Sequence, residues 1–282
     1  MALNPDMLTP QTRLRALASD LRWTHASSAL LSGFLLTLGL ILYVWWPLVV
    51  DYVAQIPPGA IWWRYIDWLL VGIFAFMSAS LMAGANLRRD LGLVLVGLIG
   101  GLVIEGWGTQ TLLWSYYTAE RPPLWIIPAW PIATLCIDRM VRILRRLLPE
   151  SEILFKALYW VIFPAFLVLM IPFVWPTLDK PLTIMALALC ILLILLNSQH
   201  RMSVLLFAAG SGLGYFLEVW GTTRLCWIYY THEQPPLFAV LAHGMAALAF
   251  WRSGLLGQIM LRKWTDLPLL GSSQPLSSVS EK

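Results

Sequence analysis

Two glutamates stand inside otherwise apolar runs of this chain, and each heads the same motif. Glu105-Gly-Trp-Gly-Thr109 is followed by Trp114, Tyr116-Tyr117-Thr118, Glu120 and Pro122-Pro123-Leu124. Glu218-Val-Trp-Gly-Thr222 is followed by Trp227, Tyr229-Tyr230-Thr231, Glu233 and Pro235-Pro236-Leu237. The match is ungapped at an offset of 113 residues, with 13 of 20 positions identical. An apolar composition alone matches leucines; it does not match Glu, Trp, Tyr and Pro-Pro together. A carboxyl inside a membrane is costly and is by default a functional group with a partner to be found. Away from water its charged form is disfavoured, so an unpaired glutamate here is expected to serve as an acid.

The first candidate partner is His243. Running inward from Leu237 at 1.5 Å per residue, it lies roughly 9 Å deep, near the depth expected of Glu218. The 113-residue register puts Trp130 at the corresponding place beside Glu105. Glu218 with His243 therefore reads as a proton-handling pair, and Glu105 with Trp130 as its asymmetric counterpart. The competing reading is a hydrogen bond that only holds two helices together. Gly97, Gly101, Glu105 and Gly108 fall on one helical face, as do Gly210, Gly214, Glu218 and Gly221. Such a stripe is either a close packing seam or a groove for a flat apolar ligand whose end reaches the acid.

Aromatic residues crowd the same depth. Trp107, Trp114, Tyr116, Tyr117, Trp130, Trp220, Trp227, Tyr229 and Tyr230, with Gly101 and Gly214, form the expected lining of a substrate site. Many of them also suit an interfacial belt. Beside a protonated acid they fit one chemistry, in which the acid protonates an alkene and aromatic faces stabilise the carbocation. Arg121 and Arg224 differ between the two motifs, and either is placed to pair with a glutamate; Arg224 on Glu218 weakens the acid reading.

The elements that must hold these residues are membrane helices. Of the 282 residues 59% are hydrophobic and only 12% charged, against about 25% charged in soluble domains. A mean hydropathy of +0.72 excludes a disordered chain, a disulfide-stapled module and a nucleic-acid binder. About 20 apolar residues of helix cross a bilayer, and eight runs pass that test. They are Ala29 to Val50, Tyr65 to Ala85, Leu91 to Thr109, Leu124 to Leu144, Ile153 to Trp175, Leu182 to Asn197, Met202 to Thr222 and Leu237 to Leu261. Counted from Leu91, Glu105 is roughly 21 Å into its helix, on the outer third of the membrane.

Arg13, Arg15, Arg22, Arg88, Arg89, Arg139, Arg142, Arg145, Arg146, Lys156, Arg201, Arg252, Arg262 and Lys263 fall on one side of an eight-span arrangement. Positive charge marks the cytoplasmic side, so both termini are expected there and the chain in the inner (plasma) membrane. The expected architecture is all-α and polytopic, with eight transmembrane helices as two tandem four-helix repeats in parallel orientation. Residues 1–28 form a cytoplasmic segment whose Leu14, Leu17, Ala18 and Leu21 suit an interfacial helix. Residues 29–144 and 153–262 are the repeats, 145–152 a basic linker, and 263–282 a Ser-rich tail expected to be disordered.

Cys136, Cys190 and Cys226 are far apart in or beside apolar runs and read as packing residues. One histidine inside a span makes neither a bis-histidine haem site nor a metal cluster, so no cofactor and no metal are expected. No Walker loop, dinucleotide fingerprint, HExxH or GxSxG is present.

The order Glu105, Gly108, Tyr116-Tyr117, Pro123-Leu124 and Pro128-Ala129-Trp130 resembles membrane carotenoid hydratases of the bisanhydrobacterioruberin hydratase type, over about 30 residues in each half. That resemblance implies water addition to an isoprenoid end group, with Glu105 or Glu218 at the matching acidic position. The doubled motif and the Trp-Gly-Thr signature depart from the family pattern. The leading expectation is an enzyme of lipophilic, isoprenoid-like substrates, with the bilayer and a lipophilic small molecule as its partners. The alternatives are a transporter or lipid carrier that protonates the two glutamates, and a scaffold that docks other membrane proteins through its outer loops.

Overall fold

The computed structural model describes residues 22–196 and 198–265, with the side chains of 261–265 excepted. The expected interfacial helix around Leu14 to Leu21 and the expected disordered tail from Gly271 lie outside the described residues.

Among the described residues the chain is all-α apart from one small sheet. Its helices are α1 (His25–Val44), α2 (Trp46–Ala54), α3 (Trp68–Met82), α4 (Leu87–Gln110), α5 (Ala129–Leu147), α6 (Glu152–Val174), α7 (Pro181–Leu195), α8 (His200–Thr223) and α9 (Leu237–Thr265). Five of them, α1, α4, α6, α8 and α9, are long and apolar enough to cross a membrane. The protein is therefore built to be embedded in one.

Local chemistry sets the helix limits. Pro47 sits in the first turn of α2, where its missing N–H needs no partner. The first apolar run therefore divides at Trp45 instead of continuing to Val50 as expected. Asp67 caps α3 by accepting the Leu70 N–H at 3.2 Å, and Asn86 caps α4 by accepting that of Arg89 at 3.3 Å. The second run thus starts at Trp68, three residues later than Tyr65, after a short 3-10 turn at Trp62–Tyr65.

The fourth run departs most from expectation. Residues 124–128 are turns, and helix α5 begins only at Ala129 after Pro128. Its second half carries Arg139, Arg142, Arg145 and Arg146, which keeps α5 out of the apolar set. Arg139 is buried, and its guanidinium donates to both carboxylate oxygens of Asp90 on α4, at 2.9 and 2.6 Å. Helices α3 and α7 are apolar but have only 15 residues each, about 22 Å of helix.

The four helices nearest the glutamates form the centre. Helix α4 packs along α5, α8 packs along α9, and α5 and α9 each also touch the other pair. Helices α1 and α3 cover one flank, with α3 against α5 and α8, and α6 and α7 cover the other, with α6 against α8 and α9.

Where outer loops are expected from the sequence, the chain forms two short strands, β1 (Trp114–Tyr116) and β2 (Trp227–Tyr229). They pair antiparallel, with Trp114 opposite Tyr229, Ser115 opposite Ile228 and Tyr116 opposite Trp227. Ser115 and Ile228 are themselves 113 residues apart, so the pairing is centred on equivalent positions. The connecting segments share further geometry at the same offset. Leu112 and Leu225 have φ of 65° and 57°, Ala119 and His232 of 59° and 57°, and Arg121-Pro122 and Gln234-Pro235 are cis.

Candidate functional site

Each strand carries its donors back to the glutamate at the end of its own helix. Glu105 Oε2 accepts the Trp114 indole N–H at 3.0 Å, and Oε1 accepts the Tyr116 hydroxyl at 2.9 Å and the Trp130 indole N–H at 3.1 Å. Glu218 Oε2 accepts the Trp227 indole N–H at 3.0 Å, and Oε1 accepts the Tyr229 hydroxyl at 2.9 Å. The third partner is different: His243 Nε2 lies 2.9 Å from Glu218 Oε1. Both carboxyls are buried, at 3% and 4% exposure. Their oxygens are nevertheless fully engaged, as buried polar atoms must be.

The glycine stripe explains how bulky rings reach these carboxyls. A methyl group at Gly108 lies 1.8 Å from the Trp114 ring and one at Gly221 lies 1.9 Å from the Trp227 ring. At Gly101 it meets the Trp130 ring at 2.4 Å, and at Gly214 the His243 ring at 2.6 Å. Gly97 and Gly210 instead let the main chains of α5 and α9 approach, at 2.7 and 2.6 Å. The stripe is thus both seam and slot. Its slots hold the protein's own aromatic rings, and Gly101 and Gly214 face Trp130 and His243 instead of the cavity.

That cavity, of about 530 Å³, runs between the two flanks and reaches the inward residues of both strands, Trp114 and Tyr116 of β1 and Trp227 and Tyr229 of β2. Glu105, Glu218, His243, Trp107, Trp114, Tyr116, Trp130, Trp220, Trp227 and Tyr229 all contribute to its wall. Apart from Thr37, Trp45 and Cys190 the remaining lining is apolar, from residues such as Phe34, Phe74 and Met77 on one flank and Met170, Met185 and Leu189 on the other. Its volume suits a lipophilic small molecule, for which sites of about 300–1,000 Å³ are usual.

Tyr117 and Tyr230 are not brought to the cavity. The Tyr117 hydroxyl donates to the main-chain carbonyl of Val44, and that of Tyr230 donates to the Phe173 carbonyl at 2.8 Å. Both clamp the hairpin to the flanking helices. Trp107 and Trp220 line the cavity, but their N–H groups point away from the glutamates. Trp107 donates to Thr183 at 3.2 Å and Trp220 to Asp67 at 2.8 Å. Each thereby ties a central helix to the start of a flanking one.

Arg224 does not neutralise Glu218. Its guanidinium engages Asp67, with Nε at 3.0 Å from Oδ2. Asp67, which lies outside both motifs, therefore caps α3, receives Trp220 and pairs with Arg224. Its position just before Trp68 was the available signal, since aspartate is a favoured N-cap.

The two hairpin phenols remain donors. Burial, reinforced by the adjacent carboxyls, pushes the ionisation of Tyr116 and Tyr229 well above the usual phenol range. Glu105 thus meets two indoles and a phenol, whereas Glu218 meets one indole, one phenol and an imidazole. Of these partners only the imidazole has a second ring nitrogen, so it alone can accept a hydrogen bond as well as donate one in the neutral form. Among the described residues no three His, Cys, Asp or Glu side chains come together as metal ligands do.

Comparison with known proteins places this arrangement beside no other: no family model, no curated protein and no solved structure matches the chain.

Proposed function

We propose that this protein is a membrane enzyme of isoprenoid or carotenoid-like lipids, with the Glu218–His243 pair as its proton donor and acceptor. The observation that carries this reading is the 2.9 Å contact between the His243 imidazole and the Glu218 carboxyl in the wall of a largely apolar cavity. The geometry favours the second motif as the active one, because Trp130 in the place of His243 leaves Glu105 without an imidazole. Glu105 then serves chiefly to anchor its hairpin strand.

The chemistry follows from those groups. The acid form of the pair transfers its proton to one carbon of a substrate alkene, whose π electrons form the new C–H bond. The neighbouring carbon becomes cationic and lies among the faces of Trp130, Trp220 and Trp227, which attract positive charge. Water then adds its oxygen to that carbon and returns a proton to the pair, giving an alcohol. Loss of a proton from an adjacent carbon instead gives an isomerised alkene. Either route restores the catalyst.

The architecture proposed with this function is eight membrane helices in two parallel four-helix repeats. The 113-residue sequence match, the hairpin register centred on Ser115 and Ile228, and the matched backbone angles support it. The short α3 and α7 and the partly charged α5 complete the count. The arginines at the end opposite the hairpin favour an orientation in the plasma membrane with both termini cytoplasmic. The resemblance to carotenoid hydratases, with a glutamate at the matching position, agrees with the alkene chemistry.

The test is mass spectrometry of total lipids from cells expressing the wild type or Glu218→Gln at equal levels. A species shifted by one water, or isomerised, is expected only with the wild type. Identical lipid profiles overturn the enzymatic reading and leave the cavity to a lipid carrier.

A further inference from the structure

The two motifs place different rings beside their glutamates, and the comparison fixes which nitrogen of His243 carries the hydrogen. Beside Glu105 the ring is that of Trp130, which can only donate, and it donates to Oε1 at 3.1 Å. His243 Nε2 stands in the same relation to Glu218 Oε1, at 2.9 Å. Glu218 Oε2 also faces a donor-only indole, that of Trp227 at 3.0 Å. Nε2 therefore holds the hydrogen, and in the neutral ring Nδ1 keeps a lone pair.

That nitrogen lies on the open edge of the ring. One face is stacked on Trp130, and Gly214 lies against the Cβ, Cγ and Cδ2 atoms, on the side away from Nδ1. Nδ1 has no hydrogen-bond partner among the described residues, yet it is not one of their enclosed unpaired atoms. The side chain is 19% exposed and stands in the cavity wall. Other acceptors in that wall are spoken for. Its indoles have none to offer, the oxygens of Glu105 and Glu218 are engaged by the donors described above, and Thr37 turns its hydroxyl back to the Gly33 carbonyl at 3.0 Å.

We infer that the cavity binds a lipophilic alcohol, with its hydrocarbon body against the apolar flanks and its hydroxyl donating to His243 Nδ1. The inference rests on the proposed function and deepens it. The hydroxyl hydrogen lies on the imidazole to which that reading gives the proton transfer, so the ligand is the alcohol side of the alkene–alcohol reaction, and Nδ1 is the atom that meets it.

The experiment measures equilibrium binding of labelled dodecanol and of its methyl ether to the full chain in detergent micelles. The ether keeps the oxygen and the hydrocarbon body and loses only the donated hydrogen. The wild type is expected to bind the alcohol about tenfold more tightly, the scale of one hydrogen bond. His243→Trp is expected to bind both probes alike, with ether affinity retained, because an indole has no acceptor. Nitrogen NMR of a chain in which His243 is the only histidine (His25→Gln, His200→Gln, His232→Asn) is expected to show Nε2 protonated and Nδ1 bare. The Nδ1 signal is expected to move with dodecanol and not with the ether. This second measurement leaves position 243 unchanged, so it holds however the His243→Trp chain folds. Equal wild-type affinities, a preference that survives in His243→Trp, or a hydrogen on Nδ1 each overturns the inference, as does failure of both probes to bind. The proposed function is decided separately, by the lipid profile of Glu218→Gln.

Discussion

The imidazole of His243 stacks on the indole of Trp130, ring centroids 5.8 Å apart and planes 18° from parallel. These two residues occupy the same position of the two motifs, 113 residues apart. Equivalent places thus meet face to face, each bonded to its own glutamate, one with a donor-only indole and the other with an imidazole that has two ring nitrogens.

That difference predicts the behaviour of His243→Trp. The new indole reproduces the arrangement that already exists around Glu105, with a glycine, Gly101 or Gly214, beneath the ring in each case. The hydrogen bond to Glu218 is therefore expected to survive, and thermal unfolding in detergent to shift by no more than a few degrees. Product formation is expected to fall at least about 100-fold, the usual scale of a general acid–base contribution. A His243→Trp protein that retains full turnover removes the imidazole from the mechanism.

Gly108 and Gly106 are two residues apart on α4 and should respond oppositely to alanine. At Gly108 the added methyl falls 1.8 Å from the Trp114 indole, which must leave Glu105. At Gly106 nothing lies within 4 Å. Gly108→Ala is expected to lower the midpoint of unfolding clearly, while Gly106→Ala is neutral or stabilising by up to about 1 kcal/mol through helix propensity. Denaturation followed by tryptophan fluorescence separates the two.

The hairpin anchor at Glu105 can be dismantled by degrees. Tyr116→Phe removes one donor and leaves Glu105 with two, and a loss of about 1 kcal/mol is expected. Glu105→Ala leaves Trp114, Tyr116 and Trp130 all without their acceptor. At about 1–3 kcal/mol for each unsatisfied group, the loss should be several times larger. Equal losses in the two variants, measured by denaturant unfolding, contradict the anchoring role.

At the far end of α4, Asp90 and Arg139 form an ion pair whose side chains are 2% and 1% exposed. Arg139→Met strands a buried carboxylate, and a loss of about 3–5 kcal/mol is expected. The Asp90→Leu,Arg139→Met double variant removes both charges and should recover most of that stability, because apolar replacements of a buried pair are often neutral. A double variant no better than the single one argues that the pair positions α4 on α5 by geometry and not by charge.

Much of the site was legible in the one-dimensional pattern. Apolar run lengths marked the helices, and the recurrence of Glu, Trp-Gly-Thr, Tyr-Tyr and Pro-Pro singled out Glu105 and Glu218. Helical rise from Leu237 put His243 level with Glu218, because an α-helix converts residue count into distance at a constant rate, and the 113-residue register put Trp130 beside Glu105. Legible along the chain, then, were quantities that depend on sequence neighbours: polarity, spacing and the glycine face.

The tertiary structure decided what those residues touch. Tyr116 and Tyr117 are adjacent and chemically identical, yet one donates to Glu105 and the other to the Val44 carbonyl. Tyr116 is the last residue of its strand, on the same side as Trp114, whereas Tyr117 begins the turn that follows; the strand itself exists only because Trp114–Tyr116 finds Trp227–Tyr229 more than 100 residues away. Arg224 likewise stood near Glu218 in sequence but engages Asp67, at a separation of 157 residues. Contacts of that kind depend on how helices cross and which strand edges meet, and the order of residues along a single chain does not encode those distances locally.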